Sequence, residues 1–259
     1  MSIAGKVRSF VGKSPRDQAR LIGATVRHVQ QVLRSPGRRY VAFRPDSDAN
    51  FGRHPELDVL AGKWVANNRR NNEGDLPRLY ALLLNIKQVM AENVPGDFAE
   101  LGVYRGNSAA VLAHYGRQHG RSMFLFDTYA GFEAKDLIGV DAGKRDAFTD
   151  TSLDLVRATV GDEAVTYVQG YFPGTITESI AQRRYAVVHI DCDLYEPMKA
   201  GLEFFFDRLS PGGLLIMHDY SDPHWDGAKR AVDGYLPRIA ENLIVIPDKS
   251  GTAMLRKLR

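Results

Sequence analysis

Cysteine is nearly absent: Cys192 is the single one in 259 residues. That excludes an internal disulfide and a cysteine-rich zinc site, and it suits a reducing, cytoplasmic setting. Long hydrophobic runs are missing too. Nothing approaches the roughly 18 consecutive apolar residues of a membrane span, and no basic start, apolar run and small-residue cleavage site marks a secretory signal. Internal repeats and low-complexity tracts are also lacking. What is present is ordinary globular material, with 44% hydrophobic residues to build a core.

Acidic residues are scarce at the N-terminal end. Residues 1–44 carry ten Lys or Arg against the single acid Asp17, a charge of +9, so the remainder carries −6 within a total of +3. The basic stretch reads as a solvated helical face or arm, with peripheral contact to an acidic phospholipid surface or a phosphorylated partner as the functional alternative. A transit peptide ranks lower, since nothing else points to an organelle. Nucleic-acid binding finds no motif and no aromatic interleaving.

Periodicity predicts a helix over 18–33, broken by Ser35-Pro36-Gly37, then an irregular stretch over 40–74. A second helix follows, with Leu79, Leu82, Leu83, Ile86 and Val89 on one face. The expected division is a basic N-terminal extension, 1–74, and a main domain, 75–259. From Asp97 the pattern alternates. Strands are predicted at 98–103, 122–127, 165–169, 186–191, 213–218, 243–246 and 253–257. Helices are predicted at 107–118, 151–160, 175–182, 196–209 and 226–240. That order predicts an α/β fold, a doubly wound and mostly parallel seven-stranded sheet of Rossmann-like type with helices on both faces. Ligands of such sheets bind beyond the carboxyl ends of the strands.

The motif-bearing residues fall at those ends. The first strand runs into Glu100-Leu-Gly-Val-Tyr-Arg-Gly-Asn-Ser108. Gly102 and Gly106 permit a sharp turn and close approach to a ligand. Asn107 or Ser108 can cap the next helix, whose N-terminal N–H groups favour a carboxylate or phosphate. The spacing is not GxGxxG, which disfavours a dinucleotide pyrophosphate and hence an oxidoreductase. Asp127, some twenty residues on at the end of the second strand, is placed to accept hydrogen bonds from ribose hydroxyls. The fourth strand ends in Asp191 and the fifth in His218-Asp219. Together, with Asp193 as a further candidate, these residues can gather around a divalent cation. Oxygen ligands suit Mg²⁺, and a His ligand shifts the preference toward Mn²⁺, Fe²⁺ or Zn²⁺.

Five ordered segments carry a family resemblance: Glu100-Leu-Gly-Val-Tyr-Arg-Gly106, Asp127-Thr-Tyr-Ala-Gly-Phe132, Gly170-Tyr-Phe-Pro173, His189-Ile-Asp-Cys-Asp-Leu-Tyr195 and His218-Asp-Tyr220. From about residue 75 onward the chain resembles the macrocin O-methyltransferase family. These are class I S-adenosylmethionine-dependent enzymes that methylate sugar or phenolic hydroxyls of secondary metabolites. The resemblance implies a cofactor-contacting set of Glu100, Gly102, Tyr104, Arg105, Gly106, Ser108, Asp127, Thr128, Gln169, Gly170 and Phe172. Asp191 would ligate Mg²⁺ and act as base. The family's usual acidic pair is here His218-Asp219, which replaces one carboxylate by a group Mg²⁺ rarely uses.

Two mechanisms stay open: metal-assisted transfer through Asp191, His218 and Asp219, or direct proton acceptance by Asp191 or His218. A non-catalytic cofactor-binding scaffold would keep the glycine loop but need neither Asp191 nor Asp219. Cys192 and His189 read as core groups. Tyr129 and Phe132 are divided between cofactor packing and core packing. His224 and Trp225 either line the acceptor pocket or anchor a loop. Residues 135–150 are expected to form a mobile cover over the acceptor. The expected partners are a small-molecule or glycan acceptor and a second copy of the chain.

Overall fold

The computed structural model describes residues 14–19, 22, 26, 54, 56–145 and 147–258. Contacts divide the chain into two units, 1–55 and 56–259. In the first, residues 15–19, 22 and 26 are helical, and the Ser14 hydroxyl accepts the Asp17 N–H at 3.2 Å as an N-terminal cap. The rest of the helix expected over 18–33 lies outside the described residues. No helix of the described residues is long and apolar enough to cross a membrane.

The second unit begins earlier than the expected boundary at residue 75. Leu57, Leu60 and Trp64 recur at helical spacing, and α1 (Leu57–Val65) buries all three. A short α2 (Arg69–Asn72) follows, so the stretch read as irregular is partly helical. Helix α3 (Leu76–Ala91) starts with Pro in its first turn and buries Leu79, Leu82, Leu83, Ile86 and Val89, the predicted face.

Seven strands then form one sheet: β1 (Asp97–Leu101), β2 (Met123–Asp127), β3 (Val165–Gln169), β4 (Tyr185–Ile190), β5 (Leu209–Met217), β6 (Ile244–Val245) and β7 (Ala253–Arg256). Their order is β3-β2-β1-β4-β5-β7-β6. The strands from β3 to β5 are parallel, while β7 runs antiparallel to both neighbours. The chain steps outward through β1, β2 and β3, then returns to the other side of β1 as β4. The switch point therefore lies between β1 and β4.

Helices α4 (Asn107–Gln118), α5 (Leu153–Val160), α6 (Glu178–Ala181), α7 (Tyr195–Arg208) and α8 (Asp226–Tyr235) connect the strands. They cover both faces. Gly116 of α4 lies over Phe98, whereas Gly201 of α7 packs closely on Leu101 and Ile190, whose side chains face the opposite way. The α7 and α8 side holds a core of Leu101, Phe126, Ile190, Phe205 and Val232. Helix α8 stops five residues short of the expected 240, giving way to a 3-10 turn at Leu236–Arg238. Pro237 lacks the N–H an α-helix needs there. Strands β1 and β4 also stop short of prediction, at Leu101 and Ile190. Gly102, Val103 and Asp191 thus belong to the loops above the sheet.

Candidate active site

Above the switch point lies a cavity of about 1310 Å³. Its first wall is the β1–α4 loop. Gly102 has φ +83°, and a Cβ there would sit 2.0 Å from the Asp191 carbonyl oxygen, so the position admits only glycine. This contact draws the β1 and β4 ends together. At Gly106, φ +80°, a Cβ would meet Val160 of α5 at 2.9 Å. No side chain caps the first turn of α4, which leaves that helix end open to an anionic group.

Asp127 ends β2. Its Oδ2 accepts the Val103 and Tyr104 N–H groups at 2.6 and 3.0 Å, and its Oδ1 accepts the Tyr129 N–H at 2.7 Å. The acid thus builds the loop, and only its remaining lone pairs face a ligand. Arg105 reaches the other way, to Asp150 at 2.5 Å, where the Tyr104 hydroxyl also donates at 2.7 Å. That pair fastens the end of the 135–150 segment, which lines one side of the cavity through Asp136, Val140, Lys144, Phe148 and Asp150. Phe132, Phe148 and Trp225 form an aromatic wall with ring centroids 5.2–6.1 Å apart. Phe132, His224 and Trp225 line the cavity. Tyr129 does not; it is buried, its hydroxyl donating to the Leu125 carbonyl at 3.3 Å.

Of the expected cofactor contacts, Gly102, Tyr104, Arg105, Ser108, Asp127, Thr128, Gly170 and Phe172 line the cavity. Three do not. Glu100 is fully buried beneath it, because its register partner on β4 is His189 and Oε1 lies 2.6 Å from His189 Nδ1. Burial pushes the Glu100 carboxyl up, against the pull of His189 and of the Ser108 hydroxyl. Gly106 faces α5, and Gln169 is exposed at the β3 end.

The floor is made by the β4 and β5 ends. His218 Nδ1 lies 2.9 Å from both Asp191 Oδ1 and Asp219 Oδ2. Ligand atoms of Asp191, His218 and Asp219 fall within 4.8 Å of one another, the one such group of three among the described residues. His218 Nδ1 is shared between the two carboxylates, while its Nε2 has no hydrogen-bond partner among the described residues. Burial and the Arg78 cation draw the His218 pKa down. The carboxylates of Asp191 and Asp219 outweigh both and hold it at about 10. Burial pushes Asp191 up, but His218 and Arg78 keep it well below the usual carboxylate range. Asp193 is not one of the three clustered ligands but adjoins them through Asp219, its carboxyl pushed well up by burial and by Asp219 and Asp191. Burial likewise raises the Cys192 thiol, which leaves it un-ionised at neutral pH.

The sequence reading missed Arg78. It is buried in α3, stacks over Trp64 at 4.8 Å, and brings Nη1 to 3.6 Å from Asp191 Oδ2 with Asp75 behind it at 4.0 Å. The signal was available: Arg78 precedes Leu82 and Ile86 at helical spacing, a cation on an apolar stripe.

Residues 74–253 match the family model described as macrocin O-methyltransferase. The chain belongs to this family. Its fold is that of the class I methyltransferases, and its reaction class is methyl transfer to oxygen. Among relatives, the chain is 33% identical over 177 residues to 8-demethyl-8-(2,3-dimethoxy-alpha-L-rhamnosyl)-tetracenomycin-C 4'-O-methyltransferase of Streptomyces olivaceus, covering 63% of this chain and 66% of that one. It is 30% identical over 195 residues to demethyldecarbamoylnovobiocin O-methyltransferase of Streptomyces niveus, covering 68% and 72%. The chain therefore spans about two thirds of the length of the first of these relatives. The solved structure of the O-methyltransferase NovP shares the fold, with TM-score 0.66 at 23% identity over 78% of this chain and 98% of that one.

Proposed function

We propose that the protein transfers a methyl group from S-adenosylmethionine to a hydroxyl of a sugar carried on a small-molecule natural product. The observation that carries this is the convergence of Asp191, His218 and Asp219 on the floor of the cavity onto which the Gly102–Ser108 loop opens. Both relatives named above are O-methyltransferases of natural products, and one is named for a rhamnosyl-bearing acceptor.

The residues fit the cofactor at two points. The uncapped first turn of α4 suits a carboxylate, and Asp127 and Thr128 lie where ribose hydroxyls reach the β2 end. When bound, S-adenosylmethionine supplies the methyl group on a sulfonium. The volume, about 1310 Å³, exceeds the 300–1,000 Å³ of a typical single-ligand site, so a second ligand fits beside it.

The floor also fits a divalent cation. His218 Nδ1 lies 2.9 Å from an oxygen of each carboxylate, which matches the ~3 Å spacing of neighbouring ligands about a metal with ~2.1 Å bonds. Asp191 Oδ1, His218 Nδ1 and Asp219 Oδ2 would hold it, and two carboxylates with an imidazole favour Mn²⁺, Fe²⁺ or Zn²⁺ over Mg²⁺. Such a cation supplies Lewis acidity that lowers the pKa of an acceptor hydroxyl. His218, with a pKa of about 10, is protonated at neutral pH in the metal-free site and cannot serve as base. Asp191 is ionised, and in this reading it takes the hydroxyl proton at Oδ2, the oxygen that faces Arg78 rather than His218. Its depressed pKa makes it a weak base, which is why the cation belongs in the proposal. The aromatic wall excludes water and packs on the apolar face of the sugar. A reducing cytoplasm, a homodimer and peripheral contact of residues 1–44 with anionic surfaces complete the reading.

The test is calorimetry with S-adenosylhomocysteine, followed by turnover of a rhamnosylated natural product after EDTA treatment and after adding back Mn²⁺ or Mg²⁺. We expect micromolar-range binding and activity restored best by Mn²⁺. No S-adenosylhomocysteine binding overturns the function. Turnover indifferent to EDTA overturns the cation alone.

A further inference from the structure

The charges lining the cavity are not evenly compensated. Arg78 faces Asp75 and Asp191, and Arg105 faces Asp150. The exposed side chains of Arg69 and Arg70 on α2 line the same cavity and have neither an ion pair nor a side-chain hydrogen bond among the described residues. Lys249 lies beside them, its Nζ donating to the Arg70 and Asn71 carbonyls at 2.9 Å each. Carbonyl partners leave its charge uncancelled. The Arg70 cation also acts on the Tyr104 hydroxyl across the cavity mouth. The floor carboxylates thus have His218 and Arg78 beside them, whereas the α2 wall carries three cations with no carboxylate ion-paired to them among the described residues.

We propose that the α2 wall is an anion subsite for the acceptor, and that the acceptor is a sugar conjugate carrying a phosphate or diphosphate. This rests on the methyltransferase reading and adds the substrate's chemistry to it. The sugar hydroxyl belongs at the floor beside Asp191, which in this reading takes its proton, and that leaves the α2 wall for a charged group. Three cations at the wall are too many for one carboxylate and suffice for the negative charge of a diphosphate ester. Guanidinium forks offer phosphate oxygens paired, charge-assisted hydrogen bonds. The cofactor's single carboxylate is met by the α4 N-terminus and does not require this wall.

The test uses the full chain in EDTA, so that a metal bridge plays no part, and titrates inorganic pyrophosphate and uridine diphosphate-glucose with and without S-adenosylhomocysteine. Both phosphates should bind, more weakly as NaCl rises. In R69E/R70E both should bind about tenfold more weakly or worse, while S-adenosylhomocysteine affinity stays unchanged. Both side chains are exposed, so the double variant should fold, which retained S-adenosylhomocysteine binding verifies. The proposal is overturned if wild type fails to bind pyrophosphate, or if the double variant binds it unchanged. It is also overturned if pyrophosphate displaces S-adenosylhomocysteine and the variant loses both, which would make the arginines part of the cofactor site. A wild-type chain that binds pyrophosphate but not S-adenosylhomocysteine keeps the anion subsite and rejects the methyltransferase reading instead.

Discussion

On the β1–β2–β3 side of the switch point, the half-buried strand-end acid that faces the cavity is satisfied: Asp127 accepts three backbone N–H groups within 3.0 Å. On the β4–β5 side, two carboxylates share one imidazole nitrogen, and the other nitrogen of His218 has no hydrogen-bond partner among the described residues. Both sides hold strained backbone, with non-glycine φ near +50 to +61° at Tyr104, Tyr129, Asp193 and Asp219, each after a different strand. The difference lies in what the polar groups are for. The first side is a finished mould, shaped by backbone for a ligand that brings its own reactive group. The second stores electrostatic conflict that a cation and an acceptor hydroxyl would resolve.

The contrast can be broken most forcefully at its reactive end. Asp191→Asn should lower turnover about a thousandfold while leaving S-adenosylhomocysteine affinity within a small factor, read by kinetics and calorimetry. A parallel loss of both would mean that the two sides are not separable. Arg78→Leu leaves two buried carboxylates without their cation and should cost about 3 kcal/mol in urea unfolding, with reduced turnover as well. Gly102→Ala attacks the junction instead. The new Cβ has the Asp191 carbonyl oxygen 2.0 Å away, so about 2–3 kcal/mol of stability should disappear together with cofactor binding.

His218→Asp sharpens the comparison rather than breaking it. With three carboxylates, cation preference should move about tenfold toward Mg²⁺, measured by reactivation of the EDTA-treated enzyme. Unchanged preference would show that His218 is not a ligand. The smallest effect lies outside the site. Glu56 Oε1 sits 2.8 Å from Lys87 Nζ and 3.0 Å from the Tyr115 hydroxyl. Burial pushes its pKa up, but these bonds outweigh it and the net shift is downward from 4.5. Its stabilisation is therefore fully present above pH 4.5 and is lost as pH falls through the lower folded value. Glu56→Gln should cost at most about 1 kcal/mol at pH 7 and nothing measurable once the wild-type carboxyl is protonated.

Helix α4 and strand β3 were legible to the residue, because each has one strong periodic pattern between clear breakers. The 56–74 stretch was not. Its polar Asn67-to-Asn72 run hid the Leu57, Leu60 and Trp64 stripe, whose burial depends on α4, distant in sequence. Asp191, His218 and Asp219 were legible as strand-end residues, and a parallel sheet brings such ends together. The place of Glu100 beneath the cavity was hidden for a related reason. Alternation along a strand fixes that its side chain lies opposite Leu101, but only the pairing of β1 with β4 shows that His189 fills the space beneath it.

What the residues by themselves determined is the order of strands and helices, the glycine loop and the acids at the strand ends, all of which follow from local periodicity and turn chemistry. What tertiary structure alone decided is who faces whom. Arg78 on a helix upstream of the sheet, Arg69 and Arg70 on a short helix no pattern marked, and the Asp191 backbone pressed against Gly102 meet only because the fold brings them together above the switch point. Contacts between residues far apart along the chain carry no local signal, and in this protein those contacts set the charge of the cavity.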